Sequence, residues 1–230
     1  MGTSKGYIPP KGYLWRDAQL AVTNMAKNNF DSESIAKGLK KYSEARRNTN
    51  DGSQQHNQQV VSSGTKVMNF INLLNNYGLD YTLENLGLHN LMGKDNQEIF
   101  MGLVDYFSPE ADSIEDNIVR DCVTEILNEV DIFDSEGIIS DKELLQKFLI
   151  TYVQKSFITN FFEKIQGLCG NINKTNKAID EIKNNIRITL QNDYSIKDLT
   201  DINWMGREGK EFMDKTCNEA FEIFILMEGY

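Results

Sequence analysis

The chain has 230 residues, 40% of them apolar and 25% charged, which is ordinary for a soluble globular protein and enough for one sizeable core. No apolar run reaches the ~18 residues of a membrane span, and no apolar leader follows Met1, so neither a spanning nor a secreted protein is expected. Cys122, Cys169 and Cys217 are odd in number and far apart, which argues against a disulfide framework and for a reducing, cytoplasmic setting.

The net charge of −10 is uneven: residues 1–47 hold nine Lys/Arg against four Asp/Glu, making this head +5 and the remainder −15. A basic head on an acidic body predicts a polar partner such as nucleic acid, nucleotide or an acidic protein; the plainer reading is solvated lysines on an exposed helix.

In chain order, residues 1–15, "MGTSKGYIPPKGYLW", read as an irregular N-terminal arm holding Pro9 and Pro10, two of the three prolines. Tyr7, Ile8, Tyr13, Leu14 and Trp15 are too apolar for a free linker and predict that parts of the arm dock. Residues 16–230 read as an all-α, bundle-like domain of six to nine helices, with a polar linker at 48–58. A first helix is expected from Trp15 to about Met25. A second follows a cap at Asp31 or Ser32, with Ile35, Leu39 and Tyr42 on its apolar face. In "VVSSGTKVMNFINLLNNYG", Val60, Val61, Val67, Met68, Phe70, Ile71 and Leu74 fit one helix, with Gly64 a weak point that permits close packing and Gly78 an αL stop.

"TLENLGLHNLMG" predicts one short helix. "KDNQEIFMGLVDYFSP" predicts another, with Ile99, Phe100, Leu103, Val104 and Phe107 apolar. Ser113 and Asp116 stand in capping-box positions before the stripe Ile118, Val119, Cys122, Ile126 and Leu127. Ser140 and Glu143 repeat that signature before the strongest stripe, Leu144, Phe148, Leu149, Tyr152, Ile158, Phe161, Phe162 and Ile165, which predicts the central core helix. "GLCGN" ends it. Two further helices are expected at about Lys174–Leu190 and Arg207–Met227. No repeat of fixed period is visible.

The motifs point away from catalysis. "GTSKG" lacks the spacing and the strand-to-helix context of a phosphate loop. "MGTSKG" has Gly6 where a myristoylation signal needs Ser or Thr. In "DIFDSEGIISDKE", Asp134, Glu136, Ile138, Ser140 and Glu143 fall on ligand positions of a calcium loop, but Ile132 stands where the first Asp is required, so a helix-to-helix turn is expected instead. The cysteines and the two histidines, His56 and His89, have no zinc spacing and no nucleophile–base pattern. Glu125, Glu129, Glu163, Asp180 and Glu181 read as solvated helix faces. Neither metal, cofactor nor enzymatic activity is expected. Lys37, Lys40, Lys41, Arg46 and Arg47 are candidate phosphate or partner contacts, although no nucleic-acid-binding signature accompanies them.

"MGTSKG", the arm reaching Trp15, "IAKGLKKYSEARR", "SSGTKVMNFINLL" and "LLQKFLITYVQKSF" together resemble the QatB family of the bacterial Qat anti-phage defence system, over roughly residues 1–170. The resemblance implies a non-enzymatic component that accompanies an ATPase, a QueC-like enzyme and a TatD-like nuclease. It also implies that Gly2, exposed by removal of Met1, accepts a 7-deazaguanine-type group from the QueC-like enzyme. Gly2, Thr3, Ser4, Lys5 and Gly6 would then form the tail that enters that enzyme's active site. The alternative is a nucleic-acid-binding or scaffolding adaptor that uses the basic N-terminal helix.

Overall fold

The computed structural model describes residues 12–47, 53–108, 113–130, 132–133, 139–194, 199 and 202–227, the side chains of 53–57 excepted. Among them are nine α-helices and one 3-10 turn, and no strand. The all-α expectation therefore holds.

The helices are α1 (Tyr13–Lys27), α2 (Ser32–Arg47), α3 (Ser53–Tyr77), α4 (Leu79–Asn85), α5 (Asn96–Phe107), α6 (Ile114–Val130), α7 (Asp141–Cys169), α8 (Ile172–Asp193) and α9 (Arg207–Leu226). Tyr13 and Leu14, read as the end of the arm, already belong to α1, and α3 begins inside the polar stretch read as a linker.

Caps set several of these boundaries. Ser113 and Asp116 form the expected reciprocal box: the Asp116 amide donates to Ser113 Oγ at 3.1 Å, and the Ser113 amide donates to Asp116 Oδ2 at 2.9 Å. Ser140 accepts from the Glu143 amide, and Asn171 from that of Lys174. Gly78 does end α3, with φ 80°, but its ψ of 173° is extended rather than αL, so the chain turns directly into α4. "TLENLGLHNLMG" is not one helix. Gly87, at φ 72°, separates α4 from a 3-10 turn at His89–Leu91, because a second turn of helix cannot continue through a left-handed residue.

The 29-residue α7, about 44 Å long at 1.5 Å per residue, is the axis of the molecule, with α1, α3, α6, α8 and α9 packed round it. Between Ile150 and Phe157 it is buried on nearly every side, so Val153 and Phe157 join the core beyond the stripe read from the sequence, as Leu145 does nearer the start of the helix. At its far end the layer opens: Ile158 is half-buried and Phe162 is exposed, against expectation.

Candidate docking site at the N-terminal hairpin

α1 and α2 form a helical hairpin. Its turn is held by the Phe30 amide donating to the Met25 carbonyl at 2.8 Å. Asn29 and Phe30 sit there at φ 52° and 55°, a left-handed conformation costly for a bulky side chain; packing Phe30 against the core offsets the strain. Asp31 caps α2 by accepting from the Ser34 amide at 2.8 Å. Hydrogen bonding from Ser34, through both side chain and backbone, holds the Asp31 carboxyl below the usual range.

An aromatic cluster fixes the hairpin to the body. Tyr42 meets Trp15, Phe157, Phe161 and Phe221 edge-on, with centroids 5.3–6.1 Å apart. A polar network runs through the same cluster. Tyr42 Oη and Ser156 Oγ share a hydrogen bond of 2.6 Å, and the Asn160 amide donates to Tyr42 Oη at 3.3 Å. Arg46 is turned inward. It donates to the Tyr152 hydroxyl and to Ser156 Oγ, and its guanidinium lies 4.5 Å from the Phe221 ring centroid and 5.5 Å from that of Tyr152. Burial pushes the Tyr42 and Tyr152 phenols up, which keeps both protonated.

The outer side of the hairpin bears a cleft of about 600 Å³. Leu20, Ala21 and Asn24 of α1 face Lys37, Lys40 and Lys41 of α2 across it, and Asp17, Asp31 and Glu33 also line it. Lys37 pairs with Glu33 at 2.5 Å and Lys41 with Glu44 at 2.7 Å. Lys40 donates to the Met227 carbonyl at 3.3 Å, which brings the end of α9 beside α2. Of the five basic candidates, three thus line one cleft, Arg47 is exposed at the end of α2, and Arg46 points into the core. Gly2, Thr3, Ser4, Lys5 and Gly6 lie outside the described residues.

Of the calcium-loop near-match, Asp131 and residues 134–138 also lie outside them, while Ile132 and Ile139 are core residues. Among the described residues no group of three or more His, Cys, Asp or Glu is placed to hold a metal ion. Glu125 and Glu129 of α6 pair with Lys155 and Lys147 of α7, at 2.7 and 3.7 Å. Among the described residues no helix is long and apolar enough to cross a membrane.

Two features escaped the sequence reading. The exposed apolar positions of α1, Tyr13 and Leu20, are visible only once its other face is packed. The polar network had a signal: Ser156 and Asn160, four residues apart, interrupt the most apolar stripe of the chain, and buried polar groups need partners.

Among the described residues the chain is an all-helical body that carries a charged cleft on an N-terminal hairpin. The family model described as "Qat anti-phage system associated protein QatB" matches residues 51–224, about three quarters of the chain. The chain belongs to the QatB family and is a component associated with the Qat anti-phage system. The arm, α1 and α2 precede the matched stretch. Neither a curated protein nor a solved structure matched the chain.

Proposed function

We propose that the protein is a non-enzymatic member of a Qat defence complex and that Gly2, with Met1 removed, is acylated by a QueC-like partner enzyme. Family membership, joined to the opening Met1-Gly2-Thr3-Ser4, carries the reading. The partner activates a 7-deazaguanine carboxylate with ATP, releasing pyrophosphate and leaving an acyl adenylate. The Gly2 amine attacks the acyl carbon. The new C–N bond forms as AMP leaves, and the amine loses a proton.

An α-amine with a pKa of about 7.7–8.0 is partly neutral at cellular pH, whereas an ordinary lysine amine, near 10.4, is almost wholly protonated. Glycine places no branch beside the attacking nitrogen, and Thr3, Ser4 and Gly6 keep the tail thin and polar. The ATPase and the TatD-like nuclease complete the proposed set of partners.

The test is mass spectrometry of the protein co-expressed with the QueC-like enzyme. The peptide that begins at Gly2 gains the mass of the deazaguanine acyl group and Lys5 does not, and Gly2→Pro abolishes the gain because a ring-locked secondary amine cannot adopt the same attack geometry. An unmodified Gly2 in a complex that still defends the cell would defeat the proposal.

A further inference from the structure

We infer that the α1–α2 hairpin is the docking surface for the enzyme that modifies the N-terminal arm, and that it receives an apolar side chain flanked by carboxylates on that enzyme. The inference rests on the proposed acylation of Gly2 and adds the surface that brings the enzyme to it.

Shape and exposure come first. Tyr13 and Leu20 are 67% and 62% exposed, values far above those of the core, and stand seven residues apart on one outward face of α1. Leu20 and Ala21 form the apolar part of the cleft, whose opposite wall is Lys37, Lys40 and Lys41 at spacings that share one helix face. A concave site with apolar side chains on one wall and lysines on the other suits an inserted apolar side chain with a polar surround.

Charge selects the occupant. Residues 13–47 hold seven Lys/Arg against four Asp/Glu within a chain of net charge −10. The Lys37–Glu33 pair is exposed on both sides, so it is weak and its lysine can exchange partners. Lys40 binds a neutral carbonyl, which leaves its charge available to a carboxylate. Asp17, Asp31 and Glu33 line the same cleft beside the lysines, so it suits an occupant whose few carboxylates are placed singly against Lys37, Lys40 and Lys41 rather than a continuous run of phosphates, and a protein face fits better than nucleic acid.

Reach completes the argument. The arm joins α1 at Gly12, beside Tyr13. The ten residues from Gly2 to that point span at most about 33–36 Å when extended. An enzyme seated on the hairpin therefore holds the Gly2 amine within that radius, which raises its effective concentration at the active site.

The experiment measures Gly2 labelling kinetics and, separately, direct binding of the full-length protein to the modifying enzyme, for wild type, Leu20→Glu and Lys37→Glu. Both positions are exposed, and circular dichroism checks the fold. The expected result is a KM at least tenfold higher with kcat within twofold, and binding weakened to match. A synthetic peptide of residues 2–11 should be labelled with the same high KM. Unchanged KM and unchanged binding in both variants overturn the inference while Gly2 acylation stands. If wild type is never labelled, the functional proposal falls, and binding alone decides docking: loss in Leu20→Glu supports it and retention overturns it. Conversion of a dimer to monomer by Leu20→Glu, or an oligonucleotide that competes for the cleft, would assign the surface to a second copy or to nucleic acid and overturn the inference.

Discussion

Phe148 lies fully buried on α7, where its ring reaches the backbone of α3 at Gly64. Truncation there removes an aromatic side chain from a site walled by helices that cannot close over the gap. Phe148→Ala is expected to cost about 3–5 kcal/mol in urea unfolding, and a loss under about 1 kcal/mol would mean that the wall relaxes freely. The buried thiols supply a pH dependence. Burial pushes Cys217 up to about 12 and Cys122 well above its ordinary value. In the unfolded chain both ionise near 8.5. Between these values the unfolded chain binds fewer protons than the fold, so stability is intact below about pH 8.5 and falls as pH rises through that window. Unfolding midpoints at pH 7.5 and 10.5 should show the drop, and Cys217→Ala should lessen it. At neutral pH a thiol reagent should modify half-exposed Cys169 quickly and the other two only on unfolding.

At the scale of elements, α3 approaches α7 and α9 closely at Gly64. A Cβ built at Gly64 would lie 3.0 Å from Phe148 Cε1 and 3.0 Å from Met213 Cε. Gly64→Val forces those helices apart or pushes the side chains off their rotamers, at an expected cost of about 1–3 kcal/mol. Because Phe148→Ala vacates part of that space, the double variant should lose less than the sum of the two, which a double-mutant cycle measures. Strict additivity would mean that the two sites do not share a contact. The sequence made this crossing half-legible: Ser62-Ser63-Gly64 marked a narrow spot, but not which helices would use it. Amphipathic α2, α5 and α6 were readable because each faces the core on one side only, so the 3.6-residue period survives in the pattern. The middle of α7 is enclosed by five helices, and there the period fades: Val153 and Phe157 are as buried as the stripe that was read. Chemistry at caps was legible for the same local reason, since Ser113 and Asp116 need only each other.

For the whole molecule, what the sequence could not show is juxtaposition. The lysines of α2 were legible as a basic cluster, but that three of them wall a cleft while Arg46 enters the core depends on where α1, α7 and α9 stand. Charge is partitioned along the chain, and the fold keeps the partition, placing the basic hairpin at the point where the arm begins. The aromatic cluster beneath that hairpin also makes the protein report on itself. Of its two tryptophans, Trp204 is buried edge-on to Phe212, and Trp15 sits in the first turn of α1 against Tyr42 and Phe161, its indole N–H without a hydrogen-bond partner among the described residues. A Trp204→Phe protein therefore has a single tryptophan, at the root of the arm, which can be excited selectively beside the nine tyrosines. Its emission gives an unlabelled optical signal for events at that junction, so engagement of the arm can be followed in real time without attaching a dye to the terminus whose amine is in question.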